Sequence, residues 1–208
     1  ELVDFFRQYM ARATGPTKGR EANVHWVDYP KGLVGPVSPL GTMLEVMAGI
    51  TLSFNLRAED RVGMVFYGDG ASSTGAWHEG LNFAAVQRCP LILMVEANQW
   101  AFSSPTVKNT RLESFTEKAP GYGIAAESVD GTDVLAVYEA VARAAARARS
   151  GGGGQMVEVT ALAEPVSSAS FSRSKSHSVW SMQVSKSSDQ NVAFANSPFC
   201  PWIGRCTV

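Results

Sequence analysis

The chain has 208 residues, 45% of them apolar, enough for one globular domain with a buried core. A formal net charge of −1 gives no electrostatic reason to expect nucleic acid or an anionic membrane as partner. Three cysteines (Cys89, Cys200 and Cys206) make no disulfide framework and point to a reducing compartment; no apolar run reaches membrane-spanning length, and no signal-peptide pattern is present.

In chain order, Leu2 to Ala13 places Leu2, Phe5, Phe6, Tyr9 and Met10 on one helical face, which predicts a helix packed on the core and stopped by Gly15-Pro16. The chain opens on Glu1 already in helical pattern, so it is expected to lack its natural beginning. A polar loop follows, ending at His25-Trp26. The Gly- and Pro-rich stretch Gly32 to Thr42 cannot be regular helix. It leads into a helix over Thr42–Leu56, with Ser38 or Thr42 as candidate cap. A charged connector, Arg57 to Arg61, enters an apolar run at Val62–Tyr67 that ends abruptly in Gly68-Asp69-Gly70. A helix from Gly75 to Gln87 and a second apolar run, Leu91–Val95, precede Glu96-Ala97-Asn98-Gln99.

Strand, tight turn, helix, strand is a βαβ unit, and its polar segments fall at the C-terminal ends of neighbouring parallel strands, where open α/β sheets bind ligands. An Asp carboxylate and an Asn amide in those places suit Mg²⁺, a hard ion commonly shared between a few protein oxygens and a ligand's phosphates. The glycines flanking Asp69 let a diphosphate approach the backbone, and amides at the following helix start favour its charge. His78-Glu79 is not a zinc motif, because Asn82 stands where a second His would be needed.

GDG followed at this distance by Asn resembles the thiamine-diphosphate signature. GDGASSTGAWHEGLNFAA in particular resembles the alpha subunit of 2-oxo acid dehydrogenase decarboxylase components of pyruvate, branched-chain and acetoin type, over roughly residues 5–160. The resemblance implies a three-layer α/β fold, a parallel sheet with helices on both faces. It implies Mg²⁺ held by Asp69, Asn98 and the carbonyl of Trp100, and thiamine diphosphate lined by Gly32, Val34, Pro39, Leu40, Gly68, Asp69, Gly70, Ala71, Asn98 and Trp100. It puts His25 near the cofactor channel as the one candidate catalytic residue. Ala97 replaces the first Asn of the family's Asn-Asn pair, and Val37 and Met43 replace oxygen donors of a potassium site, so no potassium is expected. The implied partners are a beta subunit in an alpha2beta2 assembly, the lipoyl domain of an acyltransferase core and a 2-oxo acid; no nucleic acid or membrane is expected. The implied location is the cytoplasm of a bacterium or the mitochondrial matrix of a eukaryote.

Beyond the pair of motifs, Ala126–Val129 reads as a strand, Val134–Arg149 as a helix capped by Asp133 and ended by Gly151–Gly154, and Met156–Leu162 as the next parallel strand. This gives a domain over 1–162. The remaining 163–208 is about one-quarter serine, without periodicity or family counterpart, and is expected to be disordered or the product of a frame shift. The resemblance implies an Arg before the point where this chain starts and an Arg-x-x-x-His segment where its likeness ends, so the chain is expected to be incomplete at both ends. One alternative is a non-catalytic fragment or assembly module of the same fold. Another is a nicotinamide-binding domain, against which stands the absence of G-x-G-x-x-G order.

Overall fold

The computed structural model describes residues 2–23, 25–35 and 37–161, and the backbone of 182–184 and 192–195. Its centre is β1 (Val62–Gly68) and β2 (Leu91–Ala97), parallel and in register from Gly63↔Leu91 to Gly68↔Glu96. β6 (Gln155–Thr160) pairs parallel with the other edge of β2, and β5 (Ala125–Asp130) parallel with β6. A small antiparallel pair, β3 (Trp100–Ala101) and β4 (Ser104–Pro105), follows β2. Within the serine-rich segment, β8 (Val192–Ala195) pairs parallel with β1, and β7 (Met182–Val184) antiparallel with β8, so the sheet order is β5-β6-β2-β1-β8-β7. The rest of that segment lies outside the described residues.

Strand alternation divides the core between two faces. Val65, Tyr67, Leu91, Leu93, Val95 and Met156 face α2 (Thr42–Leu56) and α3 (Gly75–Val86), which supply Leu44, Met47, Phe54, Trp77 and Leu81. Val62, Met64, Ile92, Met94 and Val157 face α4 (Val134–Arg147), which supplies Ala140, Ala144 and Ala145. The expected three layers are therefore present. Strands buried on both faces read as unbroken apolar runs, as Leu91–Val95 does. Each large side chain so buried contributes about 1.5–3 kcal/mol.

The helices α2 and α3 touch backbone to backbone at Gly80, where a Cβ would lie 2.9 Å from the Glu45 amide nitrogen. Asp133 caps α4 as predicted, accepting from the amides of Leu135 at 3.0 Å and Ala136 at 3.1 Å. The α-helix ends at Arg147, two residues early, and runs into a wider turn, Ala148–Gly152, that closes at Gly151 with φ 84°.

Two expectations are corrected. The first helix, α1 (Leu2–Tyr9), is shorter than Leu2–Ala13, and its apolar face does not pack on the core: Leu2 is 73% and Phe6 59% exposed. What holds α1 is polar. Buried Gln8 donates to the carbonyls of Glu21 (3.1 Å) and Asn23 (2.6 Å) and accepts from the amide and hydroxyl of Thr17 at 3.2 and 2.9 Å. Nor is α2 capped by a side chain of Ser38 or Thr42; its N-cap is Gly41, in left-handed conformation.

Candidate functional site

Asp69 follows the last residue of β1 and is only 1% exposed. One carboxylate oxygen, Oδ1, accepts the amide of Asn98 at 3.2 Å; the other, Oδ2, accepts the hydroxyl of Thr106 in a very short contact. Burial raises the Asp69 pKa, while the hydrogen bonds from Thr106 and Asn98 pull it down. Among the described residues no Lys, Arg or His forms an ion pair with it. A buried carboxylate with hydrogen-bond donors but no cation is a chemically suitable place for one.

The chain then turns through Gly70 into a short 3₁₀ segment, Ala71–Ser73, before Thr74 caps α3 by accepting from the Trp77 amide. The helix begins at Gly75, as the sequence predicts, and the 3₁₀ turn fills the interval between it and Gly70. A Cβ on Gly68 would meet nothing within 4 Å, whereas one on Gly70 would lie 3.0 Å from the Cβ of Ala101. Gly68 thus leaves its surroundings open, and Gly70 lets the β3–β4 hairpin close over the turn.

Asn98 is exposed at the end of β2, with its Oδ1 accepting the amide of Trp100 at 2.9 Å. Gln99 has φ 70°, and Thr106 returns to it through a 2.9 Å amide–carbonyl bond, which brings the Thr106 hydroxyl back to Asp69. Asp69, Asn98 and the Trp100 backbone therefore lie on one continuous hydrogen-bonded edge. Among the described residues no group of three or more His, Cys, Asp or Glu side chains is arranged to hold a metal. The anticipated donor set is of another kind: one carboxylate, one amide and one backbone carbonyl. The residues present fit a hard divalent cation.

The other candidates lie in the loop before α2. Gly32 closes a 3₁₀ turn, Tyr29–Lys31, with φ 78°, and Val34 is buried in the α2–α3 core. Pro39 and Leu40 are exposed. Gly41 approaches the start of α3, where a Cβ would lie 2.2 Å from the Thr74 hydroxyl, so this loop borders the turn that carries Ala71. His25 forms a 2.6 Å contact between Nδ1 and Oε1 of Glu21, and no hydrogen bond joins it to Asp69 or Asn98. His78 and Glu79 are exposed on α3, and His78 pairs with the Tyr122 hydroxyl, in keeping with a structural role.

Two residues absent from the expected set belong to the same neighbourhood. The Ser72 hydroxyl donates to the Asp69 carbonyl at 2.8 Å, and Lys118 Nζ donates to the Ser72 carbonyl at 2.7 Å and hydroxyl at 3.1 Å. Ser72 was one small polar residue in a turn. Lys118 lies 46 positions away, with no local signal to connect it. Glu96 alternates to the α4 face, away from Asp69, and burial raises its carboxyl to about 8.

Fold and site together define an α/β domain, covered on both faces, with a polar edge at the carboxyl ends of two neighbouring parallel strands, the place where open α/β sheets bind ligands. The family model described as dehydrogenase E1 component matches residues 1–162, and the chain belongs to that family. It is 36% identical over 156 residues to the alpha subunit of acetoin:2,6-dichlorophenolindophenol oxidoreductase from Cupriavidus necator, covering 75% of this chain and 47% of that protein. It is 46% identical over 120 residues to the alpha subunit of 3-methyl-2-oxobutanoate dehydrogenase from Mycobacterium tuberculosis (strain CDC 1551 / Oshkosh), covering 58% and 33%. The mitochondrial 2-oxoisovalerate dehydrogenase alpha subunit of Mus musculus is 36% identical over 144 residues, covering 69% and 33%. The chain thus spans half or less of the length of these relatives. Among the described residues no helix is long and apolar enough to cross a membrane.

Proposed function

We propose that this chain is the cofactor-holding part of an alpha subunit of a 2-oxo acid dehydrogenase decarboxylase component, and that its GDG–Asn edge binds the Mg²⁺-diphosphate of thiamine diphosphate. The observation that carries this reading is the buried, cation-free Asp69 carboxylate hydrogen bonded to the backbone of Asn98 across the ends of adjacent strands.

In this reading Asp69, the Asn98 side chain and the Trp100 carbonyl hold the metal. Gly68 leaves the space through which the diphosphate reaches the turn of Gly70 and Ala71, and the loop of Gly32, Val34, Pro39 and Leu40 lines the cofactor beside it. When bound, thiamine diphosphate supplies a carbanionic carbon for attack on a 2-oxo acid and a ring that accepts the electrons left by decarboxylation. The chain's own contribution is to bind and orient. Thr106 and the Asn98 amide oppose the desolvation that raises the Asp69 pKa and hold its carboxylate in place, and the β3–β4 hairpin covers the turn. A beta subunit completes the site in an alpha2beta2 assembly, and the acyl group passes to the lipoyl domain of an acyltransferase core. The place of work is the cytoplasm in a bacterium or the mitochondrial matrix in a eukaryote. The cofactor domain is residues 1–162, and the strands β7 and β8 of the following segment extend its sheet.

A second reading is a non-catalytic fragment or assembly module of the same fold. Decarboxylation of 3-methyl-2-oxobutanoate or pyruvate, or carbon–carbon cleavage of acetoin, by the chain with a cognate beta subunit separates the two. Turnover dependent on thiamine diphosphate supports the enzyme. Absence of turnover in a verified complex supports the fragment.

A further inference from the structure

Among the described residues, Lys118 is a half-buried cation with no ion-paired carboxylate. It lies in a 3₁₀ helix, Phe115–Tyr122, whose start is anchored by the buried carboxylate of Glu158: that carboxylate accepts the Ser114 hydroxyl, and the Phe115 amide at 3.1 Å. From this anchored segment the Lys118 side chain reaches Ser72, donating to its carbonyl and hydroxyl. Its ammonium sits 4.9 Å from the ring centre of Trp77 and 5.5 Å from that of Phe115. Burial lowers its pKa, and among the described residues no carboxylate forms an ion pair with it.

Two aromatic faces and two neutral oxygens offset part of the cost of desolvating an ammonium, but they leave its charge uncancelled. That charge lies against the turn Asp69–Ser72, and it is wired to Asp69 through the 2.8 Å bond from the Ser72 hydroxyl to the Asp69 carbonyl. A carboxylate, a divalent cation and an ammonium together leave this corner net positive until an anion arrives.

We propose that Lys118 is a positioning residue for diphosphate binding. It pins the Asp69–Ser72 turn from behind and supplies the positive charge that an incoming diphosphate neutralises. It acts through Ser72 and the field, without touching the ligand. This rests on the reading of the GDG edge as a Mg²⁺-diphosphate site.

The test is calorimetric titration of thiamine diphosphate with Mg²⁺ into the full chain, mixed with cognate beta subunit, for wild type and for Lys118→Arg, Lys118→Gln and Lys118→Met. A circular-dichroism melt verifies the fold of each. Loss of the unpaired positive charge beside the turn predicts affinity about tenfold or more weaker in Lys118→Gln and Lys118→Met, with a shallower dependence of affinity on salt. Lys118→Arg retains affinity to within about threefold. A mere tether would be rescued by the neutral donor of Lys118→Gln, so near-wild-type binding by that variant, or by Lys118→Met, overturns the proposal. Asp69→Ala is run alongside. If wild type binds in a metal-dependent way that Asp69→Ala abolishes, a null effect at Lys118 counts against Lys118 alone; if wild type shows no metal-dependent binding, both readings fall.

Discussion

At the scale of single residues, Asp69 shows how a buried carboxylate is kept usable. Burial drives it toward the neutral form, and the amide of Asn98 and hydroxyl of Thr106 hold it back. Thr106→Val removes one of these donors while keeping the shape. The expected result is a loss of about 1–2 kcal/mol in stability at neutral pH, measured by urea unfolding, with Thr106→Ser close to wild type. An unchanged midpoint for Thr106→Val would show that the hydroxyl carries no load. Asp69 and Asn98 were legible in the sequence because each ends an apolar run, and strand ends mark the sheet edge. Thr106 and Lys118 were not. Thr106 returns to Asp69 only because Gln99 adopts φ 70° and reverses the chain, and Lys118 meets Ser72 only because buried Glu158 on β6 fixes the start of its helix.

At the scale of elements, strands and helices on the sheet followed their periodicity closely, since burial on both faces leaves little choice of register. Ends were less legible: α4 ends where a wider turn takes over, and α1 stops at Tyr9, after which Ala11 takes φ 47°. The reading of α1 failed for a different reason. Periodicity reports that a helix has an apolar side, but it does not say what that side faces. Here the anchor was Gln8, whose amide and carbonyl meet four backbone and side-chain groups of residues 17–23, a polar clasp with no periodic signature. Two substitutions test the packing of elements. Gly80→Ala should destabilise the chain by about 1–3 kcal/mol through overpacking against α2, although alanine is the better helix former by about 1 kcal/mol. Asp133→Ala should cost about 1 kcal/mol through loss of the α4 cap. Both are read from urea unfolding, and a more stable Gly80→Ala protein would contradict the tight α2–α3 crossing.

At the scale of the whole molecule, the site exists only when the sheet does. Its parts come from the ends of β1 and β2, the hairpin after β2, and the 3₁₀ helix tied to β6 through Glu158. Cys89, fully buried between α2 and the start of β2, reports on that unity, and burial pushes its thiol pKa up. With Cys200 and Cys206 changed to serine, Cys89 is expected to resist a thiol reagent at pH 8 and to react as urea unfolds the chain. Rapid labelling in native buffer would show the α2–β2 packing to be open.

The central claim is that the GDG–Asn edge binds a diphosphate through a divalent metal, and isothermal titration of thiamine diphosphate tests it most directly. The chain is mixed with cognate beta subunit, with and without Mg²⁺, and compared with Asp69→Ala. Saturable binding that needs Mg²⁺ and vanishes in Asp69→Ala is the predicted result. Binding that is indifferent to Mg²⁺, or that survives Asp69→Ala, would contradict it.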